Sequence, residues 1–224
     1  MEKPLGKTAI NLSDRTILIH GDYYRVFPFI ISLIRMSKGK VLLFLDDFNT
    51  RALIEEADHL GSEALSKIVV SRFENLVQLD KALEQSEKIL LNKRVFKLLI
   101  IGSLPNAYLR EISLHDSSSH SNILYLLNKI LAFFSFLSKE YGCTGILISS
   151  GGGLEGEENI PARRIFLYWV DYFLELRNCD GNRLLGRLVS KSGEEFNLCI
   201  PSGGNIKELD RIGVCNRDDC PRSF

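Results

Sequence analysis

The chain has 224 residues, 45% of them hydrophobic and 25% charged, and its 28 basic and 28 acidic side chains give a formal net charge of zero. This size and composition fit one globular domain with a substantial core, and the charge balance excludes a nucleic-acid binder driven by a strong basic field of its own. No run of about 18 uncharged apolar residues is read, and the N-terminus, Met1 to Lys7, leads into no secretory segment. A cytoplasmic protein without a membrane span is expected.

In chain order, residues 16–20 predict a buried strand closed by Gly21, and residues 27–36 an apolar helix with Pro28 in its first turn. Residues 40–45 predict a second buried strand, ended by Asp46 and Asp47. Asn49 or Thr50 can cap a helix over 51–60, which Gly61 stops. A short strand at 67–71 precedes a helix at 76–91, with Leu76, Leu79, Leu83 and Leu90 at helical spacing. Residues 96–101 form another strand, and the serine-rich 113–121 stretch reads as a loop before a long apolar helix at 122–140. In that helix Phe134 and its neighbours Phe133 and Phe136 read as core, although one of the three must point away from the buried face. Residues 145–149 give the next strand, followed by a glycine-rich segment at 150–156. Alternation over 166–177, 183–190 and 195–200 predicts an antiparallel meander that finishes the sheet. The expected fold class is therefore α/β: a mainly parallel central sheet with helices on both faces and a C-terminal antiparallel meander. Residues 1–206 form a single domain and 207–224 a polar tail.

Five cysteines do not make a disulfide framework. Cys143 and Cys199 sit among apolar residues and read as small buried hydrophobes. Cys215 and Cys220 supply half of a four-ligand site with no histidine nearby, so free thiols or a local disulfide are expected there and no metal.

The junction after the first strand is where a phosphate-binding loop, G-x-x-x-x-G-K-[ST], stands in nucleotide-binding folds. Started at Gly21, the pattern puts Val26 at the second glycine, Phe27 at the lysine and Pro28 at the hydroxyl residue. A backbone without that glycine does not readily curl its N–H groups around phosphate. Phe27 brings no charge to the terminal phosphates, and Pro28 offers no oxygen to Mg²⁺.

The order of elements over roughly 12–202 resembles the core domain of the RecA/RadA recombinase superfamily, most closely the archaeal RadA paralogues of the RadB type. Four places carry the resemblance: the strand at 17–21 with its helix, Lys40 to Asp46, Lys97 to Leu104, and Ser138 to Gly142 with the strand at 145–150. The turn Asp180-Gly181-Asn182-Arg183 is similar to the family's last hairpin. The resemblance implies a RecA-like three-layer sandwich. It also implies that the water-positioning glutamate is replaced by Phe48, the Mg²⁺-proximal aspartate by Gly102 and the γ-phosphate-sensing glutamine by about Gly151. Changed together, these positions imply no ATP turnover, no catalytic residue and no cofactor. Strand–helix alternation alone fits a flavodoxin-like or other Rossmann-like domain as well.

The family's two DNA-facing loops map to about 108–121 and 150–163, which makes Arg110, His120, Arg163 and Arg164 DNA-binding candidates beside Tyr108 and His115. Glu155, Glu157 and Glu158 oppose a phosphate backbone, so a plain mixed-charge loop stands as the alternative. Lys88, Lys93, Arg94 and Lys97 cluster toward the opposite edge. Tyr23, Tyr24 and Arg25 are partner-binding candidates, and with Phe27 and Phe29 they can equally plug the lost site. The function implied is a non-catalytic RecA-fold recombinase paralogue, alone or in a homo- or hetero-oligomer. It would assist homologous recombination and DNA repair by binding the recombinase, another paralogue, or single- or double-stranded DNA. A KaiC-like protein-interaction module with no DNA role, and an enzyme using Asp46, Asp47 and Ser103, are the alternatives. His20 reads as structural, and G-x-S-x-G is absent around Ser149 and Ser150.

Overall fold

The computed structural model describes residues 12–55, 57–92, 95–150, 160–179, 183–201 and 213–214. The chain opens with β1 (Thr16–Gly21), α1 (Tyr23–Met36), β2 (Lys40–Leu45) and two successive helices, α2 (Asp47–Glu55) and α3 (Ala57–Lys67). It continues with β3 (Ile68–Arg72), α4 (Leu76–Asn92), β4 (Phe96–Ile101) and α5 (Leu104–Leu114). A 3-10 turn at Ser117–Ser119 leads into α6 (His120–Glu140), then β5 (Thr144–Ser150) and α7 (Arg163–Trp169). The strands β6 (Tyr172–Cys179), β7 (Arg183–Ser190), β8 (Glu195–Pro201) and β9 (Gly213–Val214) close the described chain.

These strands form one sheet in the order β3-β2-β4-β5-β1-β6-β7-β8-β9. The first six in that order run parallel, and β7, β8 and β9 alternate antiparallel. The layers follow from handedness. Right-handed crossovers that step one way along a sheet lie on one face, and those that step back lie on the other. The chain steps from β1 to β2 to β3 through α1, α2 and α3, then returns through α4, α5, α6 and α7. One apolar layer accordingly joins Ile17, Ile19, Leu43 and Leu45 to α1, α2 and α3. The other joins Leu18, Leu42, Leu99, Ile101 and Leu147 to the remaining helices. Strands buried on both faces need apolar residues at successive positions, which is why 17–19 in β1, 41–45 in β2 and 98–101 in β4 read as apolar runs.

Several boundaries differ from the sequence expectation. α1 starts at Tyr23, so Pro28 lies inside the helix and not in its first turn. Asp22 caps the helix early, its Oδ1 accepting from Tyr24 N at 3.2 Å. α2 starts at Asp47 in the same way: Asp46 Oδ1 accepts from Asn49 N at 3.0 Å, so neither Asn49 nor Thr50 is the cap. Gly61 takes a left-handed φ of 76° and breaks the helical run, which then resumes to Lys67. Helix α5 occupies much of the stretch mapped as a first DNA-facing loop, and α7 occupies residues 163–169, part of which was expected as strand. The meander itself is present, and β6 also pairs parallel with β1. Of the expected tail, Gly213 and Val214 pair with β8; its other residues, Cys215 and Cys220 included, lie outside the described residues.

Residues 117–140 form the one helical segment, among the described residues, long and apolar enough by composition to cross a membrane; 44% of its most apolar window is buried. Here it is a layer of the domain, with Leu127, Ile130, Leu131, Phe134 and Leu137 sealed against the sheet and its neighbours. Phe136 is the phenylalanine that points outward.

Cys143 precedes β5 and is fully buried, its thiol donating to Phe96 O at 3.3 Å. Burial pushes this thiol from an ordinary value of 9.0 up to about 11. The folded chain therefore holds a proton that the unfolded chain releases first, and stability falls as pH rises through that window. Alkaline denaturation followed by circular dichroism should show a loss between about pH 9 and 11 that Cys143→Ala flattens.

Candidate functional site

In open α/β sheets ligands bind beyond the carboxyl ends of the strands, where neighbouring strands send their helices to opposite faces. Three such places exist here, at β5 and β1, at β2 and β4, and at β3 and β2; the first two hold the candidate residues. β1 sends α1 to one face while β5 sends α7 to the other; β2 sends α2 and β4 sends α5 likewise.

At the first, the connection from β1 to α1 is Asp22 alone. Arg25 N and Val26 N donate to Asp22 O at 3.0 and 2.9 Å, so residues that would line a phosphate loop are wound into the first turn of α1. The carboxylate of Asp22 sits at that helix's amino end, where an anion is favoured. Gly21 is backed against β6: a Cβ there would stand 2.9 Å from Leu176 O. Val26 and Phe27 are buried in the layer with α1, and Pro28 is exposed.

An aromatic cluster spans α1 and α2. Tyr23 stacks on Phe27 with ring centroids 5.4 Å apart and packs against Phe48 at 4.8 Å. Tyr24 stands edge-on to Tyr23 at 5.9 Å. The positions expected to have lost the lysine and the glutamate are thus joined through one tyrosine ring. Tyr24 and Phe48 are 83% and 59% exposed, so the cluster also presents an apolar surface. Arg25 is half-buried beside it.

At the second place Asp46, Asn49 and Ser103 form a buried polar knot. Asn49 Nδ2 donates to Asp46 Oδ1 at 2.7 Å and to Ser103 Oγ at 2.8 Å, while Asn49 Oδ1 is buried with no partner among the described residues. Ser103 takes a left-handed φ of 54°, a strained conformation for a residue with a Cβ, and its hydroxyl is the acceptor that Asn49 reaches. Gly102 leaves the room for this. A Cβ there would meet Leu45 Cδ2 at 3.0 Å and the Asn49 amide at 3.2 Å. The space that an aspartate at Gly102 would need is held by Asn49. Asp47 faces solvent and pairs with Arg72.

At the first place, on the adjoining ends of β1 and β5, His20 Nδ1 lies 3.2 Å from Ser149 Oγ, both side chains buried and the imidazole stacked near Phe173. One strand over, buried Glu175 receives Arg177 Nη2 on both oxygens at 2.9 and 2.8 Å, with Arg187 at 3.9 Å. A carboxylate taken out of water needs such a partner. Sequence reading missed the pairing of Glu175 with Arg177, two residues on in the same strand, and took Asn49 only as a helix cap, because its bond to Ser103 spans 54 residues.

The DNA-binding candidates stand on three helices, α5, α6 and α7. Arg110, on α5, donates through Nη2 to Glu74 O. His120 Nε2 bonds the Ile112 and His115 carbonyls, both at 3.1 Å, and so ties α6 to the end of α5. His115 Nδ1 bonds Glu111 O at 2.9 Å. Arg163 and Arg164 open α7; Arg164 is exposed, and Arg163 lines a cavity of about 220 Å³ with Leu167, Phe173, Val189, Ser190 and Lys191. Glu155, Glu157, Glu158, Gly151, Lys93 and Arg94 lie outside the described residues. Among the described residues no group of three or more His, Cys, Asp and Glu could hold a metal ion.

Together these features define an α/β protein with a mostly parallel sheet whose carboxyl-end crevices are occupied by its own side chains. Compared with known proteins, the chain matches no family model and no curated protein.

The fit at Gly102 is open to test. Gly102→Asp should lower stability by about 1–3 kcal/mol, because the new carboxylate is forced against Leu45 and Asn49. Urea unfolding should show part of that loss returned in the Gly102→Asp, Asn49→Ala double variant.

Proposed function

We propose that this chain is a RecA-fold recombinase paralogue without ATPase activity, which assists homologous recombination and DNA repair in the cytoplasm by binding the recombinase, another RecA-fold paralogue, or DNA. The observation that carries the reading is the coordinated filling of the crevice. The helix starts where a phosphate loop would curl, Tyr23 bridges Phe27 and Phe48, and Asn49 takes the space next to Gly102. Random decay of a nucleotide site leaves gaps and orphaned charges; packed replacements at several linked positions fit a scaffold kept for binding. The RecA-like sandwich is part of the same proposal. It is supported by a mainly parallel sheet with helices on both faces, β1 at its centre and an antiparallel group after β6. The exposed rings of Tyr24 and Phe48, with Arg25 beside them, supply the aromatic and guanidinium anchors typical of protein interfaces.

Purified protein should neither bind nor hydrolyse ATP with Mg²⁺ above a no-protein control. Robust turnover that Phe27→Ala or Gly21→Ala abolishes overturns the reading. Affinity purification from the native host should recover the recombinase or a paralogue, and Tyr24→Ala with Phe48→Ala should weaken that capture by about tenfold or more. DNA contact is a separate measurement. Fluorescence anisotropy at low salt should show binding that Arg163→Ala and Arg164→Ala each reduce with a shallower salt slope, and binding indifferent to both removes α7 from the interface.

A further inference from the structure

α6 is 21 residues long, about 31 Å at the helical rise, and apolar around most of its circumference, yet one face is uncovered. Helices of that kind in soluble proteins are buried all round. The uncovered stripe runs through Tyr125, Lys129, Ala132 and Phe136, spaced four, three and four residues apart. Tyr125 is 72% exposed and Phe136 45%, with Phe133 stacked on Phe136 at 5.9 Å. The stripe is flanked on both sides. Lys129 reaches Asp80 and Glu84 of α4 at 2.6 and 2.9 Å, which draws its charge away from the stripe. On the other side Trp169 of α7 donates to Asn128 at 2.8 Å, and Tyr168, itself exposed, stands edge-on to that indole.

The geometry points to a second copy of this chain as the occupant, α6 packing antiparallel on α6 about a two-fold axis. The spacing of the stripe, four, three and four, is the same from both ends, with an aromatic ring at each end. An axis between Ile130 and Leu131 sets Tyr125 of each copy opposite Phe136 of the other, and the Lys129 stem opposite Ala132. A surface that is its own complement is what a two-fold interface requires. Aromatics at the ends and a small residue inside let the helices approach closely at the centre. Charge agrees with this direction and not with the parallel one. The first turn of α6 carries no acidic residue and its cap residue, Ser119, makes no side-chain capping bond. The antiparallel pairing sets exposed Glu140 of one copy beside Ser121 of the other, a carboxylate at a helix amino end. The surface lies on the α4–α7 face of the sheet and stands whatever the aromatic crevice on the other face binds.

Sedimentation velocity across micromolar concentrations tests this, with circular dichroism to verify folding. The wild type should be a monomer–dimer mixture that shifts with concentration. Tyr125→Lys and Phe136→Glu, each alone, should raise the dissociation constant about tenfold or more. The Tyr125→Lys, Phe136→Glu double variant should recover dimer, because the antiparallel contact then sets lysine opposite glutamate twice, and added salt should weaken that recovered dimer. A wild type that stays monomeric, folded single variants that dimerise as well as the wild type, or a double variant no better than the singles each overturn the proposal. So would a dimer competed away by lipid vesicles or DNA through the same residues.

Discussion

The placement of one ring governs the upper edge of this molecule. Tyr23 is the first residue of α1 and meets Phe27 along its own helix and Phe48 across on α2. It can do so only because Asp22 starts the helix one residue after the strand. A longer connection would carry Tyr23 away from Phe48. Capping, packing and the closing of the gap beyond β1 are therefore one event seen at three levels. The local hydrogen bond sets the helix start, the helix start sets the ring, and the ring closes the gap between two helices that β1 and β2 deliver to the same face.

The second crevice is closed by different means. Asn49, on α2, bonds Asp46 behind it and Ser103 across the sheet edge, and Gly102 yields the space. Phe48 and Asn49 are consecutive, one pointing to the aromatic cluster and the other to the polar knot. The first turn of α2 thus serves both closures, and its start at Asp47, set by the Asp46 cap, matters for both. The strained backbone of Ser103 is held by that same arrangement.

Much of the sheet was legible in the sequence, and for a physical reason. Strands buried on both faces carry apolar residues at successive positions, so β1, β2, β4 and β5 stand out against any background. The missed elements were those whose cues are weak or contradictory. α5 begins after a serine in a left-handed conformation and makes no side-chain cap bond. α7 is short, and its apolar residues continue into β6 without a break, so the pattern reads as a single strand. Pro28 argued for a helix start because proline is easiest there; Asp22 offered a stronger cap upstream, and the helix accommodates Pro28 internally. At the candidate site, Phe27, Phe48 and Gly102 were legible one by one as departures from the pattern that the resemblance implies. That Phe27 and Phe48 meet through Tyr23, and that Asn49 fills the room beside Gly102, are contacts across sequence gaps that no local pattern encodes.

On the proposed reading of the chain as a RecA-fold paralogue, the one-residue link between β1 and α1 has a consequence for its history. A cradle weakened by substitution alone can be repaired a step at a time, each reversal recovering some grip on an anion. Here the residues between Gly21 and Phe27 are spent as a helical turn, held by the bonds from Arg25 and Val26 to Asp22. A lysine or glycine restored within that turn meets no phosphate until the turn unwinds, and the turn has no reason to unwind until several such residues are back. Selection acting on single changes finds no gradient to climb, so the winding of one turn acts as a ratchet.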